Sequence, residues 1–313
     1  MAASRWATQR ASAANSLAAE VRPSVGCLGH IAVARPPGDW HVKVMQTVRP
    51  PAVAGMFYPR EPQVLTDTVA HLLSSATPLA DLPLRWPKAL IVPHAGYIYS
   101  GAIAATAYAQ LQGASHVHRV VLIGPAHRVP VHGLVSPGVS RLRTPMGDSE
   151  VDAEALASLP QVVANPRAHA HEHSLEVQLP FLQKVVPHAK IVPLVAGFTA
   201  AAEVGAILES LWGGRETVIV ISSDLSHYLP YHEGQSEDRH TADCIVSPPK
   251  EDEVLSPEQA CGSAGINGLL WVAKRRHLRL RLLDLRSSGD TAGDKAHVVG
   301  YGAFALYEEA HAQ

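Results

Sequence analysis

Aliphatic residues along this chain gather into short, almost unbroken runs. Positions 89–92, 120–123, 191–195 and 218–221 each have the length of a strand, and a run that is apolar at every position belongs between two covering layers. Between the runs the spacing changes to that of a helix. In "EPQVLTDTVAHLLSSA" (61–76), Leu65, Val69, Leu72 and Leu73 fall on one helical face, with Pro62 near the first turn, where its missing N–H does no harm. Similar patterns occupy 100–112, 200–212 and 263–277. Strands alternating with helices predict an α/β layered sandwich around a central sheet, mostly parallel or mixed. Two more strand-like runs, 278–285 and 297–307, follow the last helix and add antiparallel neighbours. No internal repeat or linker interrupts the chain after residue 50, so 45–313 reads as a single domain.

Residues 1–44 break the pattern, being rich in Ala, Ser and Arg with few acids and little periodicity. They read as a disordered tail or an over-extended start, with Met45 and "QTVRPPAVAGMFYP" as the natural beginning; their composition also mimics an organelle transit peptide. No chemistry is expected of them. The whole chain of 313 residues is 47% hydrophobic and 17% charged, ample for a buried core. With a net charge of −2 and no block of Lys and Arg, it lacks the electrostatic footprint of a nucleic-acid binder. No stretch approaches the roughly 20 apolar residues of a membrane-spanning helix. Three cysteines, Cys27, Cys244 and Cys261, are too few and odd in number for a disulfide framework. The expectation is a soluble, cytoplasmic protein without nucleic-acid or membrane partners.

Reactive residues concentrate at the ends of the aliphatic runs. "IVPHAGY" sets His94 just past the first run, "VLIGPAHRVP" does the same for His127, and "VIVISSDLSHY" presents Asp224 and His227. Open α/β sheets bind ligands outside the carboxyl ends of their strands, so these three loops are expected to share a rim. One histidine after a strand is ordinarily a hydrogen-bonded turn residue, but turn chemistry does not explain its recurrence at three strand ends. Cys261, in "PEQACGSAG", stands just before the 263–277 helix, where the helix dipole is expected to favour the thiolate. A disulfide to Cys244 is not expected across the polar, Pro-rich segment between them. In "HAHEHSLEVQLP" (169–180) the spacing of the zinc-protease motif is not met; a helix starting there would let His173 and Glu176 meet on one face, as i and i+3, and the alternative is a plain polar helix start. "RSSGDTAGDKAH" (286–297) is turn chemistry and a segment able to close over the rim. Phosphate-loop, dinucleotide and serine-elbow motifs are absent, so nucleotide hydrolysis, dinucleotide binding and serine-hydrolase chemistry lack support.

The segments "RPPAVAGMFYP", "VPHAGYIYSG", "IGPAHRVP", "EHSLEVQLPFL", "SSDLSHY", "ACGSAGINGLL" and "SGDTAGD…VVGYGAFAL" occur in this order between about residues 48 and 308. Together they resemble the Memo family, called AmmeMemoRadiSam system protein B in bacteria. The resemblance implies a fold similar to the catalytic subunit of class III extradiol dioxygenases, non-haem iron enzymes that open catechol rings. It implies His94 and His127 as metal-binding histidines and Cys261 as the metal-binding cysteine, with Asp224 and His227 among further pocket residues. Those dioxygenases hold iron with two histidines and a carboxylate; a thiolate in the third place shifts preference toward Cu(I), zinc or thiolate-bound iron. The expected cofactor is one mononuclear metal ion, iron or copper ahead of zinc. Around it His227 is expected as general acid/base, Asp224 as its orienting partner, and His173 as a contact to the metal's ligands or the substrate. The resemblance further implies a redox-related metal protein, linked in prokaryotes to a radical SAM enzyme and an AMMECR-type partner; it does not name the ligand, expected to be a small molecule or peptide. Two alternatives stand beside it: a non-catalytic module recognising a peptide or phosphopeptide in the same cleft, and a structural member of a multiprotein assembly.

Overall fold

The aliphatic runs become strands because both of their faces are covered. The structure is a computed structural model that describes residues 47–76, 86–247 and 254–308; the tail predicted at 1–44 lies outside the described residues. Helix α1 (Pro62–Ser75) precedes β1 (Ala89–Val92) and α2 (Tyr97–Tyr108). Then come β2 (Arg119–Pro125), two short strands, β3 (Leu134–Ser136) and β4 (Val163–Ala164), and β5 (Lys190–Ala196). They are followed by α3 (Ala201–Ser210), β6 (Thr217–Ser222), β7 (His227–Leu229), α4 (Tyr231–Val246) and α5 (Ser263–Arg275). Strands β8 (Leu280–Ser287) and β9 (Val298–Leu306) complete the set.

These nine strands form one mixed sheet in the order β7-β9-β1-β6-β2-β5-β3-β4, with β8 paired to β9. Its four central strands run parallel, with Val92 opposite Ser222, Ile123 opposite Ile221, and Ile123 opposite Leu194. Strand β9 is antiparallel to β1, and β8 is antiparallel to β9, as the runs after the last helix predicted. Alternate residues of the central strands face opposite layers. Leu90, Val92, Val120, Leu122 and Val220 pack with Leu65, Val69, Ile103 and Ala107 of α1 and α2. Ile91, Val121, Ile123, Ile219 and Ile221 pack instead with Val204, Leu208, Ile266 and Leu269 of α3 and α5. Burying each such Val, Leu or Ile contributes about 1.5–3 kcal/mol, so the two helical layers hold the sheet between them. The architecture is an α/β sandwich.

Helix α4 escaped the periodicity argument. Its buried residues are Gly234, Asp238, Thr241, Ala242 and Ile245, a stripe too polar to read as an apolar face. The helix expected to begin at His173 does not form: His173 lies in a loop, and a 3₁₀ turn, Glu176–Gln178, leads into the short helix Leu179–Val185. Among the described residues no helix is long and apolar enough to cross a membrane.

Candidate metal centre

Because the central strands are parallel, the loops after β1, β2 and β6 leave the sheet at one edge. Pro93 has no N–H to extend the ladder, and the backbone N–H of His94 donates instead to Asp224 Oδ1 at 2.7 Å. After β2, the N–H of His127 donates to Glu172 Oε2, also at 2.7 Å. Cys261 reaches the same place from the start of α5. A Cβ on Gly262 would lie 2.5 Å from the Ser222 carbonyl oxygen and 2.6 Å from Ser223 Cβ, so glycine is what lets the chain press against the end of β6. There the N–H of Gly262 donates to Ser223 Oγ at 2.9 Å, and the N–H of Asp224 donates to the Cys261 sulfur at 3.3 Å.

Outer hydrogen bonds decide where each imidazole keeps its proton. Ser222 Oγ donates to the Ser174 carbonyl at 2.6 Å. It is therefore an acceptor toward His94 Nδ1, 2.9 Å away, so His94 carries its proton on Nδ1 and turns a bare Nε2 inward. Glu172 does the same for His127: its Oε1 lies 2.9 Å from Nδ1 and accepts that proton. A metal-ligating histidine is held in this way, its second nitrogen donating to an outer acceptor. His94 Nε2 lies 3.3 Å from Cys261 Sγ. One nitrogen from each histidine and the sulfur all lie within 4.8 Å of one another.

The three donors differ in burial: His94 is buried, Cys261 half-buried and His127 exposed. Burial, then the neighbouring His127 and His173, push the His94 pKa well below the usual imidazole range. Burial alone raises Glu172, but the His127 side-chain bond and charge, with the N–H groups of Ser174 and His127, hold it at about 2. Burial and then the Asp224 charge push the Cys261 thiol up to about 12, the reverse of the lowering expected from its place before α5. Desolvation outweighs the helix dipole here, and metal coordination is what would release the thiol proton. The sulfur is a free thiol, without a disulfide to Cys244.

His173 joins the cluster although the helix predicted for it is missing. Its ring stacks on His127 at a centroid distance of 4.8 Å and meets His94 edge-on at 5.4 Å, with Phe57 packed at 4.7 Å. Its Nδ1 is buried without a hydrogen-bond partner, and burial brings its pKa down to about 4. His127, Glu172 and His173 form a second close group of donor atoms. Glu176 does not meet His173. Its carboxylate takes Arg49 Nη1 at 2.8 Å, the N–H groups of Ala52 and Val53, and the Tyr58 hydroxyl, fastening residues 49–58 to the turn at 176–178. Asp224 does not orient His227. Its carboxylate holds the His94 backbone, and burial raises its pKa to about 7 against that bond. His227 stands in β7 opposite Val299, partly buried and with its pKa lowered, first by that burial and then by His127. Glu172, Ser222 and Arg49 escaped the sequence reading; the one local sign was Glu172 between two histidines in "HEH".

Fold and donor set define an α/β protein with a candidate two-histidine, one-cysteine metal centre. Residues 49–305 match the family described as Memo-like protein. A MEMO1 family protein of Archaeoglobus fulgidus is 36% identical over 266 residues, covering 81% of this chain and 97% of the relative. Those of Ignicoccus hospitalis and Aquifex aeolicus are 36% identical over 279 and 273 residues, covering 82% and 81% of this chain and 97% of each relative. The chain belongs to the Memo family.

Proposed function

We propose that this protein is a redox-related metalloprotein, with one iron or copper ion, or failing these zinc, held by His94, His127 and Cys261. The observation that carries the reading is the donor set: His94 Nε2, left without a proton because Ser222 accepts from Nδ1, lies 3.3 Å from the Cys261 sulfur, and a ring nitrogen of His127, whose Nδ1 is held by Glu172, completes a group of three donors within 4.8 Å of one another. Bound there, such an ion supplies Lewis-acid or one-electron redox chemistry at positions the protein leaves open. Cys261 would give up its proton on binding the ion. His227, at the edge of the cluster, is the residue proposed to hold and move a proton at the ligand. Asp224 positions His94 through its backbone, and His173 closes the pocket over His127. The link to a radical SAM enzyme and an AMMECR-type partner is proposed on the sequence resemblance alone.

Metal content tests the proposal. Protein purified anaerobically is expected to hold one Fe, Cu or Zn per chain, and His94→Ala, His127→Ala and Cys261→Ala are each expected to lose most of it. Unchanged metal in all three variants would refute the site.

A further inference from the structure

Beside Cys261 lies a cavity of about 580 Å³, between the carboxyl ends of β2 and β5 and the first turns of α3 and α5. Ile123, Ala126, Val131, Ala196, Leu255 and Ala264 line it, and Cys261 forms part of its wall. None of the described lining residues is charged. Its polar side chains are largely committed elsewhere. Asn267 both donates to and accepts from the Leu255 backbone at 2.9 Å, and Thr199 donates to Glu203 at 2.6 Å. At the mouth, Phe198 and Val254 are 76% and 62% exposed, large apolar groups left in water beside an apolar hollow. A volume between roughly 300 and 1,000 Å³ with mainly apolar walls is that of a small-molecule site.

We propose that this chamber binds an uncharged, predominantly apolar small molecule, an aromatic ring system or short alkyl chain, with one end against Cys261. An ionic group would have to leave water for walls that return no charge and few hydrogen bonds. The proposal names a substrate class for the metal centre and rests on that reading for the chemistry only, since binding in the chamber needs no metal.

The test is a fluorescence titration of the metal-free, full-length protein with the uncharged probe N-phenyl-1-naphthylamine. Saturable binding of one probe per chain is expected. Ala264→Phe, which fills the chamber from α5, is expected to weaken it at least about ten-fold, because the probe loses apolar contact area. Phe198→Ser and Val254→Ser, at the exposed mouth, are expected to weaken it by about three-fold without changing thermal stability. Binding that never saturates, or equal affinity in all three variants, overturns the chamber. Failure of the metal centre would appear separately, as unchanged metal content in the ligand variants.

Discussion

Which nitrogen of an imidazole carries the proton is settled at His94 and His127 by partners distant in sequence, 128 and 45 positions away. That distance is why Ser222 and Glu172 were illegible in the chain, whereas His94, His127 and Cys261 each stand beside a strand end or helix start that the local pattern reveals. Glu172→Gln keeps the size of the side chain but removes the charge that fixes the His127 proton. It is expected to lower metal affinity about 10–100-fold while the protein stays folded, as measured by competition with a chelator. Ser222→Ala is expected to act in the same direction at His94. Unchanged affinity in both variants would mean that the tautomers are not set by these partners.

Elements place these residues, and two contacts show how. Gly262→Ala would drive a methyl group into the end of β6, an overpacking expected to destabilise by about 1–3 kcal/mol and to displace the Cys261 sulfur. Chemical denaturation and metal content read the two effects. Arg49 ties the N-terminal segment to the site loop, donating to the carbonyls of His169 and Glu172 and pairing with buried Glu176. Arg49→Met leaves that carboxylate uncompensated and is expected to destabilise by about 3–5 kcal/mol; a change within error of zero in denaturation would contradict it. The strands of this sandwich were legible because apolar runs leave them few alternatives. The loop around His173 was not, since the three-residue spacing of His173 and Glu176 is also met by a turn held from outside by Arg49, and helix α4 hides behind a polar buried face.

Over the whole molecule the parallel centre of the sheet gathers loops from β1, β2 and β6, and α4 braces them: Asp238 accepts from the Ser226 N–H at 3.0 Å. Burial raises the Asp238 pKa to about 6. The folded chain therefore keeps a proton there that the unfolded chain loses near pH 4, so between about pH 4 and 6 this group makes stability fall as pH rises, by up to roughly 3 kcal/mol. Asp238→Asn is expected to remove that slope from the difference between the two stability-versus-pH curves; parallel curves would contradict it. The relation between sheet topology and a shared rim was legible in the sequence, but the bracing was not, because it depends on a carboxylate packed against Gly300. X-ray absorption spectroscopy of the metal-loaded protein tests the central claim most directly. One sulfur scatterer near about 2.3 Å with nitrogen neighbours is predicted for the wild type, and its loss for Cys261→Ala. A shell of nitrogen and oxygen only in the wild type, or a sulfur that survives the substitution, would contradict the account.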